Sequence, residues 1–196
     1  IVPAYTYAAT ANVVVHLGAT PVMVDCAPNS AHMDIEKVAA AMTERTKAIM
    51  PVDVGGLPVD YDAYMELAKS FSERFVWKPT SKPQEKFGRP LVVSDAAHSF
   101  GSLYKGSRVG NQTDVAGFSF HAVKNLTTAE GGAIALNFQN EIIWCTNGMK
   151  KVKSKLMRSH DVLLVYSKKK TKAYFKPMYE PHVLDPNKNY KDDGTG

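Results

Sequence analysis

Short apolar runs, each closed by an acid or a glycine and separated by helix-like stretches, recur along most of this chain. Residues 21–25 (PVMVD), 47–52 (KAIMPV), 91–93 (LVV), 115–120 (VAGFSF) and 133–136 (AIAL) read as strands, because short apolar runs bounded by turn residues are typical of buried strands. The opening IVP reads as a further strand. Between the runs, residues 8–17 (stopped by Gly18), 34–42 (capped by Asp34, with Glu36 in the first turn) and 62–75 read as helices. Strands that alternate with helices predict parallel pairing, hence an α/β fold: a three-layer sandwich around a mostly parallel sheet.

Some segments depart from this alternation. Residues 76–90 (VWKPTSKPQEKFGRP) are rich in proline and basic side chains and read as an exposed loop. SLYKGSRVG, residues 102–110, reads as a β-hairpin turning at Lys105-Gly106. A helix is expected over 140–155. Beyond His160 periodicity is lost, so residues 1–160 are expected to form the main domain and 161–196 a loop-rich basic segment.

The chain has 196 residues, enough for one domain with a real core. The net charge of +5 is uneven: residues 1–149 hold 12 Lys/Arg against 14 Asp/Glu, and residues 150–196 hold 12 against 5. A basic segment can meet nucleic acid, a membrane surface or an anionic substrate, or be plain solvated surface. It lacks regularly interleaved aromatics or a nucleic-acid motif, which argues against nucleic acid. No apolar run approaches the roughly 18 residues that a membrane span needs. Cys26 and Cys145 form no CxxC or Cys/His cluster and read as free thiols of a cytoplasmic protein.

Chemistry concentrates in two segments. In VAGFSFHAVKNLTTAEGGAIAL (115–136), Lys124 lies on the connection between two strands. It is either a surface lysine or, if burial and neighbours lower its pKa, a nucleophilic amine able to form a Schiff base. Upstream, LVVSDAAHSFG (91–101) places Asp95 at the carboxyl end of a strand, with His98 three residues on. Ligands of open α/β sheets bind there, although an Asp after a strand also commonly caps a helix. A carboxylate for a pyridinium nitrogen and a lysine for an aldehyde are what a pyridoxal phosphate (PLP) site requires.

Together with VPAYTYAATANVV (2–14), LGATPVMVDC (17–26) and TKAIMPVDVGGLPVD (46–60), these segments resemble the DegT/DnrJ/EryC1/StrS sugar aminotransferases over about residues 1–160. These are PLP enzymes of the aspartate-aminotransferase-like superfamily, so the sheet is expected to be the central part of a PLP-binding large domain. The resemblance gives Lys124 the Schiff-base and proton-shuttle role. Asp95 becomes the pyridine-nitrogen partner, Tyr7 the aromatic stacked on the ring, His98 a hydrogen-bond partner of the ring hydroxyl and Ser119 a phosphate ligand. His121, in the FSFH form, falls near the sugar-binding side and points to amination at the 4-keto carbon of a UDP-sugar. Asn189, in PNKNYK, matches weakly a residue that reaches the phosphate of the neighbouring subunit's cofactor. A sister branch of dehydratases has His where Lys124 stands, so the lysine favours amino transfer.

Two family features have no counterpart in this sequence. One is a Gly-Thr helix start that grips the phosphate; the other is a small domain after the large one. Asp161 also stands where relatives have glycine. The implied function is transfer of an amino group from glutamate to a keto-sugar nucleotide, in a homodimer with shared active sites. This chain is then a truncated part, expected to be inactive by itself. The alternative is a non-catalytic, family-derived fragment that binds a partner or a sugar nucleotide.

Overall fold

The computed structural model describes residues 1–136 and, as a backbone strand, 141–145. His160, Asp161, Asn189 and the segment 161–196 lie outside the described residues, as do residue 140 and the part of the expected 140–155 helix beyond residue 145.

The strands are β1 (Val2–Pro3), β2 (Met23–Val24), β3 (Ala48–Ile49), β4 (Leu91–Asp95), β5 (Leu103–Tyr104), β6 (Ser107–Arg108), β7 (Val115–Ser119), β8 (Gly132–Leu136) and β9 (Glu141–Cys145). The helices are α1 (Ala9–His16), α2 (Ile35–Ala41), α3 (Tyr61–Lys69), α4 (Phe71–Arg74) and α5 (Lys82–Glu85). The main sheet runs β3-β4-β7-β8-β9. β3, β4 and β7 pair in parallel, β8 is antiparallel to β7, and β9 is antiparallel to β8. Four of its five strands therefore point one way and β8 runs against them. The parallel pair β1-β2 continues this sheet, because the Ile1 nitrogen donates to Ala48 O at 2.8 Å and Ile1 O accepts from Met50 N at 2.9 Å, the pattern of a parallel ladder.

The helices form where the sequence offers caps. The Asp34 side chain accepts from the amides of Glu36 and Lys37, and the Asp60 side chain accepts from Ala63 N. The helix expected over 62–75 is two helices broken at Ser70, whose hydroxyl donates back to Leu67 O at 3.0 Å. The hairpin turns at Lys105 and Gly106 with both φ angles positive, the backbone of a tight two-residue turn.

The register of the strands assigns their side chains to two faces. Ile49, Val92, Ser94, Ala116, Ala133 and Ala135 point to one face and are buried. There they meet Val38, Met42, Tyr61, Tyr64, Ala68 and Phe71 from α2–α4. Asp95, Gly117, Ser119, Gly132 and Ile134 share the other face. Helix α1 reaches that face through Thr10, and Ile134 remains 40% exposed. At the opposite end of the strands Arg89 clasps Asp114 with two 2.8 Å bonds, and Asp114 also accepts from Val92 N, so the amino ends of β4 and β7 are pinned together.

Two expectations change. Residues 141–145 are not the start of a helix but strand β9, with all five residues in register along β8. Ile142, Ile143 and Trp144 favour a strand, and pairing there satisfies the outer hydrogen-bonding edge of β8. The 76–90 segment also carries structure of its own. It holds α5, Trp77 Nε1 donates to Gln84 O at 2.9 Å, and Lys47 Nζ lies 4.7 Å from the Trp77 ring centre. Among the described residues no helix is long and apolar enough to cross a membrane.

Candidate active site

The chemistry-bearing residues gather at the carboxyl ends of β4 and β7. Asp95 is the last residue of β4 and pairs with Gly117. Ser119, the last residue of β7, follows two positions on and projects from the same face. Gly117 puts no side chain between them, and a Cβ built there would meet only Ser94 O, at 3.9 Å. Opposite Ser119 stands Gly132, where a Cβ would fall 2.7 Å from Phe118 O, so the hairpin strand can approach this closely only as glycine. The result is a floor with a carboxylate at one end and a hydroxyl at the other.

Beyond β7 the chain turns through residues 121–124, closed by Lys124 N donating to His121 O at 2.9 Å. Lys124 is half-buried and His121 is exposed, its Nε2 3.7 Å from Glu130 Oε1. The Asn125 side chain donates to Phe100 O at 2.6 Å, tying this loop to the one that follows Asp95. The Phe100 ring meets Phe118 and Phe120 edge to face at 5.3 and 5.2 Å, so aromatic packing reinforces the tie. Asp95, Ser119 and Lys124 thus belong to two adjacent, cross-linked strand ends. Tyr7 is 82% exposed just before α1, with its ring open to a ligand, and His98 is exposed on the loop beyond Asp95.

Asp95 does not cap a helix. Its Oδ1 accepts from Ala97 N at 3.2 Å in a turn, and its Oδ2 accepts from Thr10 Oγ1 at 2.7 Å. A carboxylate has about four acceptor positions, so capacity remains for another donor.

A second acid supports this loop from beneath. Asp53, 1% exposed, accepts from Val59 N at 3.1 Å and from the hydroxyls of Tyr61 and Ser99. Burial pushes its carboxyl above the ordinary aspartate range, while hydrogen bonds from Ser99, Tyr61 and Val59 pull the other way. Burial and the neighbouring Asp53 charge push the Tyr61 phenol well up. Asp53 N also donates to Asp95 O at 3.0 Å. Gly56 lies under His98, for a Cβ there would come 2.8 Å from His98 O. Sequence reading had missed Thr10, Asp53, Ser99 and Asn125. The available signal was position: Asp53 closes the apolar run beside β4 much as Asp95 closes β4 itself.

The residues present fit PLP. The site offers a carboxylate for a protonated pyridine nitrogen, a stretch of strand opened by Gly117 and Gly132, a hydroxyl for a phosphate and a lysine on the adjoining loop. The family profile described as the DegT/DnrJ/EryC1/StrS aminotransferase family matches residues 1–76 and 89–173. The interruption falls within the 76–90 segment. An uncharacterized protein of Methanocaldococcus jannaschii, MJ1066, is 37% identical over 158 residues, 81% of this chain and 34% of that protein. Among solved structures, the Streptococcus pneumoniae sugar aminotransferase Spr1654 in its PLP form is 46% identical with a TM-score of 0.66. The match covers 69% of this chain and 34% of that one, and Spr1654 has also been solved in a PMP form. DesI, solved with its TDP-sugar product, is 32% identical with a TM-score of 0.58, over 69% of this chain and 30% of its own. The chain spans about a third of the length of these relatives.

Proposed function

We propose that this chain, which belongs to the DegT/DnrJ/EryC1/StrS aminotransferase family, is the part of a PLP-dependent nucleotide-sugar aminotransferase that supplies the cofactor's lysine and its pyridine-nitrogen acid. The observation that supports the reading is that the loop carrying Lys124, just beyond β7, is tied through Asn125 to the loop that follows Asp95 on the neighbouring parallel strand. When bound, PLP supplies an electron sink that lets an amino group leave one carbon and join another. This chain's residues do the rest. The Asp95 carboxylate holds a proton on the ring nitrogen. Tyr7 covers a ring face, His98 orients the ring hydroxyl and Ser119 donates to the phosphate. The Lys124 amine would hold the cofactor's aldehyde end and, when free, could take up and return a proton beside the reacting carbon. His121, on the exposed side of the turn, faces the sugar.

The finer reading is a glutamate donor and the 4-keto carbon of a UDP-sugar as acceptor. A cytoplasmic homodimer would complete the site with Asn189 from the neighbouring subunit, in the service of polysaccharide synthesis. DesI's crystallisation with a TDP-sugar supports a nucleotide-sugar acceptor. The PMP form of Spr1654 supports transfer through the cofactor. The test is spectroscopic: full-length protein loaded with PLP should show a visible band that L-glutamate converts to the PMP spectrum, and a 4-keto UDP-sugar should restore it. A visible band untouched by amino donors refutes amino transfer. A protein that develops no band refutes the cofactor assignment.

A further inference from the structure

Thr10 sits in the first turn of α1, 2% exposed, although its side chain is a hydroxyl. Its Oγ1 lies 2.7 Å from Asp95 Oδ2 and 2.8 Å from Thr6 Oγ1. A hydroxyl has one proton, and an ionised carboxylate can only accept. The Thr10 proton is therefore committed to Asp95, and Thr6 must donate to Thr10. The relay runs in one direction: Thr6 to Thr10 to Asp95.

We propose that Thr10, backed by Thr6, is the positioning residue for the acid that serves the pyridine nitrogen; this rests on the role given to Asp95 above. Two features of the geometry support it. Thr10 grips Oδ2 while Ala97 N grips Oδ1, so the plane of the carboxylate is fixed from both sides. Thr10 N also donates to Tyr7 O at 3.1 Å, so the residue that orients the acid also anchors the backbone of the aromatic expected to cover the ring. One residue, through its hydroxyl and its backbone amide, thus links two proposed cofactor contacts 88 residues apart in sequence, Asp95 and Tyr7. Helix α1 holds Thr10 in a first turn that has no side-chain cap, which leaves Thr6 free to serve the relay.

The experiment uses full-length protein carrying Thr10→Val, Thr10→Ser or Thr6→Val. Valine keeps the shape of threonine and removes the hydroxyl; serine keeps the hydroxyl. PLP affinity is read by absorbance titration of apo protein, and the pH midpoint of the bound cofactor's visible band is read beside it. A hydrogen bond to a charged group is worth about tenfold or more in binding, so Thr10→Val should weaken PLP by about tenfold. It should also move the pH midpoint, a readout that simple loosening of the fold leaves in place. Serine should restore both values, and Thr6→Val should shift them the same way by less. A Thr10→Val protein matching wild type in affinity and midpoint overturns the proposal. If Thr10→Val does not fold, Thr6→Val decides, and wild-type values there overturn it. A wild-type protein that shows no cofactor band fails for a different reason, since that outcome refutes the PLP reading itself.

Discussion

Asp53→Ala should be among the most damaging single changes outside the cofactor contacts. The carboxylate receives three donors, and the side chains of two of them, Tyr61 and Ser99, are 1% and 0% exposed. Truncation leaves those donors without their acceptor in a place water does not reach. Each orphaned buried donor costs about 1–3 kcal/mol. Ser99 falls at the low end because its hydroxyl also lies 3.4 Å from Ala96 O. The sum is about 3–7 kcal/mol, a large fraction of the 5–15 kcal/mol typical of a domain's stability. Asp53→Asn keeps an acceptor for Val59 N and lets the two hydroxyls turn to accept from the amide, so its cost should be about 1–2 kcal/mol. The two variants also differ from wild type in pH dependence. Burial raises the folded carboxyl above its unfolded value of 3.8, so the native state binds the proton more tightly than the unfolded chain. Wild-type stability therefore falls as pH rises from that value through the folded pKa, then levels. Asn removes this contribution. Urea unfolding followed by circular dichroism across that pH range measures both effects. An Asp53→Ala protein within 1 kcal/mol of wild type, or an Asp53→Asn protein with an unchanged pH slope, refutes the argument.

Two further changes probe the frame around the site. Gly56→Ala places a side chain at a φ of +83° and 2.8 Å from His98 O, so backbone strain of about 1–2 kcal/mol adds to a displaced His98 loop. A lower melting temperature together with weaker PLP binding is expected, and melting curves with a cofactor titration check it. Asp114→Ala removes the counter-charge of the Arg89 guanidinium, which is 19% exposed and keeps its bond to Pro90 O, and leaves the Val92 amide without its acceptor. The loss should be about 2–4 kcal/mol, seen as a lower urea midpoint with an unchanged slope.

The sequence made the fold legible wherever local signals agreed with tertiary pairing. The apolar runs 91–93 and 115–120, the Asp34 cap and the Lys105-Gly106 turn all declare themselves within a few residues, and the strands found there differ from the runs only at their carboxyl ends. Residues 141–145 did not, because their state is set by the open edge of β8 rather than by their own periodicity. The break at Ser70 was equally hidden, since a serine that donates to its preceding turn looks like any polar helix residue. Within the site, Asp95 and Lys124 stood out through their positions relative to strands. Their supports did not: Thr10 meets Asp95 across 85 residues and Ser99 meets Asp53 across 46, and no local pattern encodes either contact.

The central claim is that the Lys124 amine bonds a PLP whose ring nitrogen rests on Asp95. Borohydride reduction of PLP-loaded full-length protein, followed by digestion and peptide mass spectrometry, tests it directly. The pyridoxyl group should be found on the peptide containing Lys124 and be absent when Lys124→Arg protein is treated in the same way. A label carried by a different lysine, or an unlabelled Lys124 peptide from yellow protein, would contradict it.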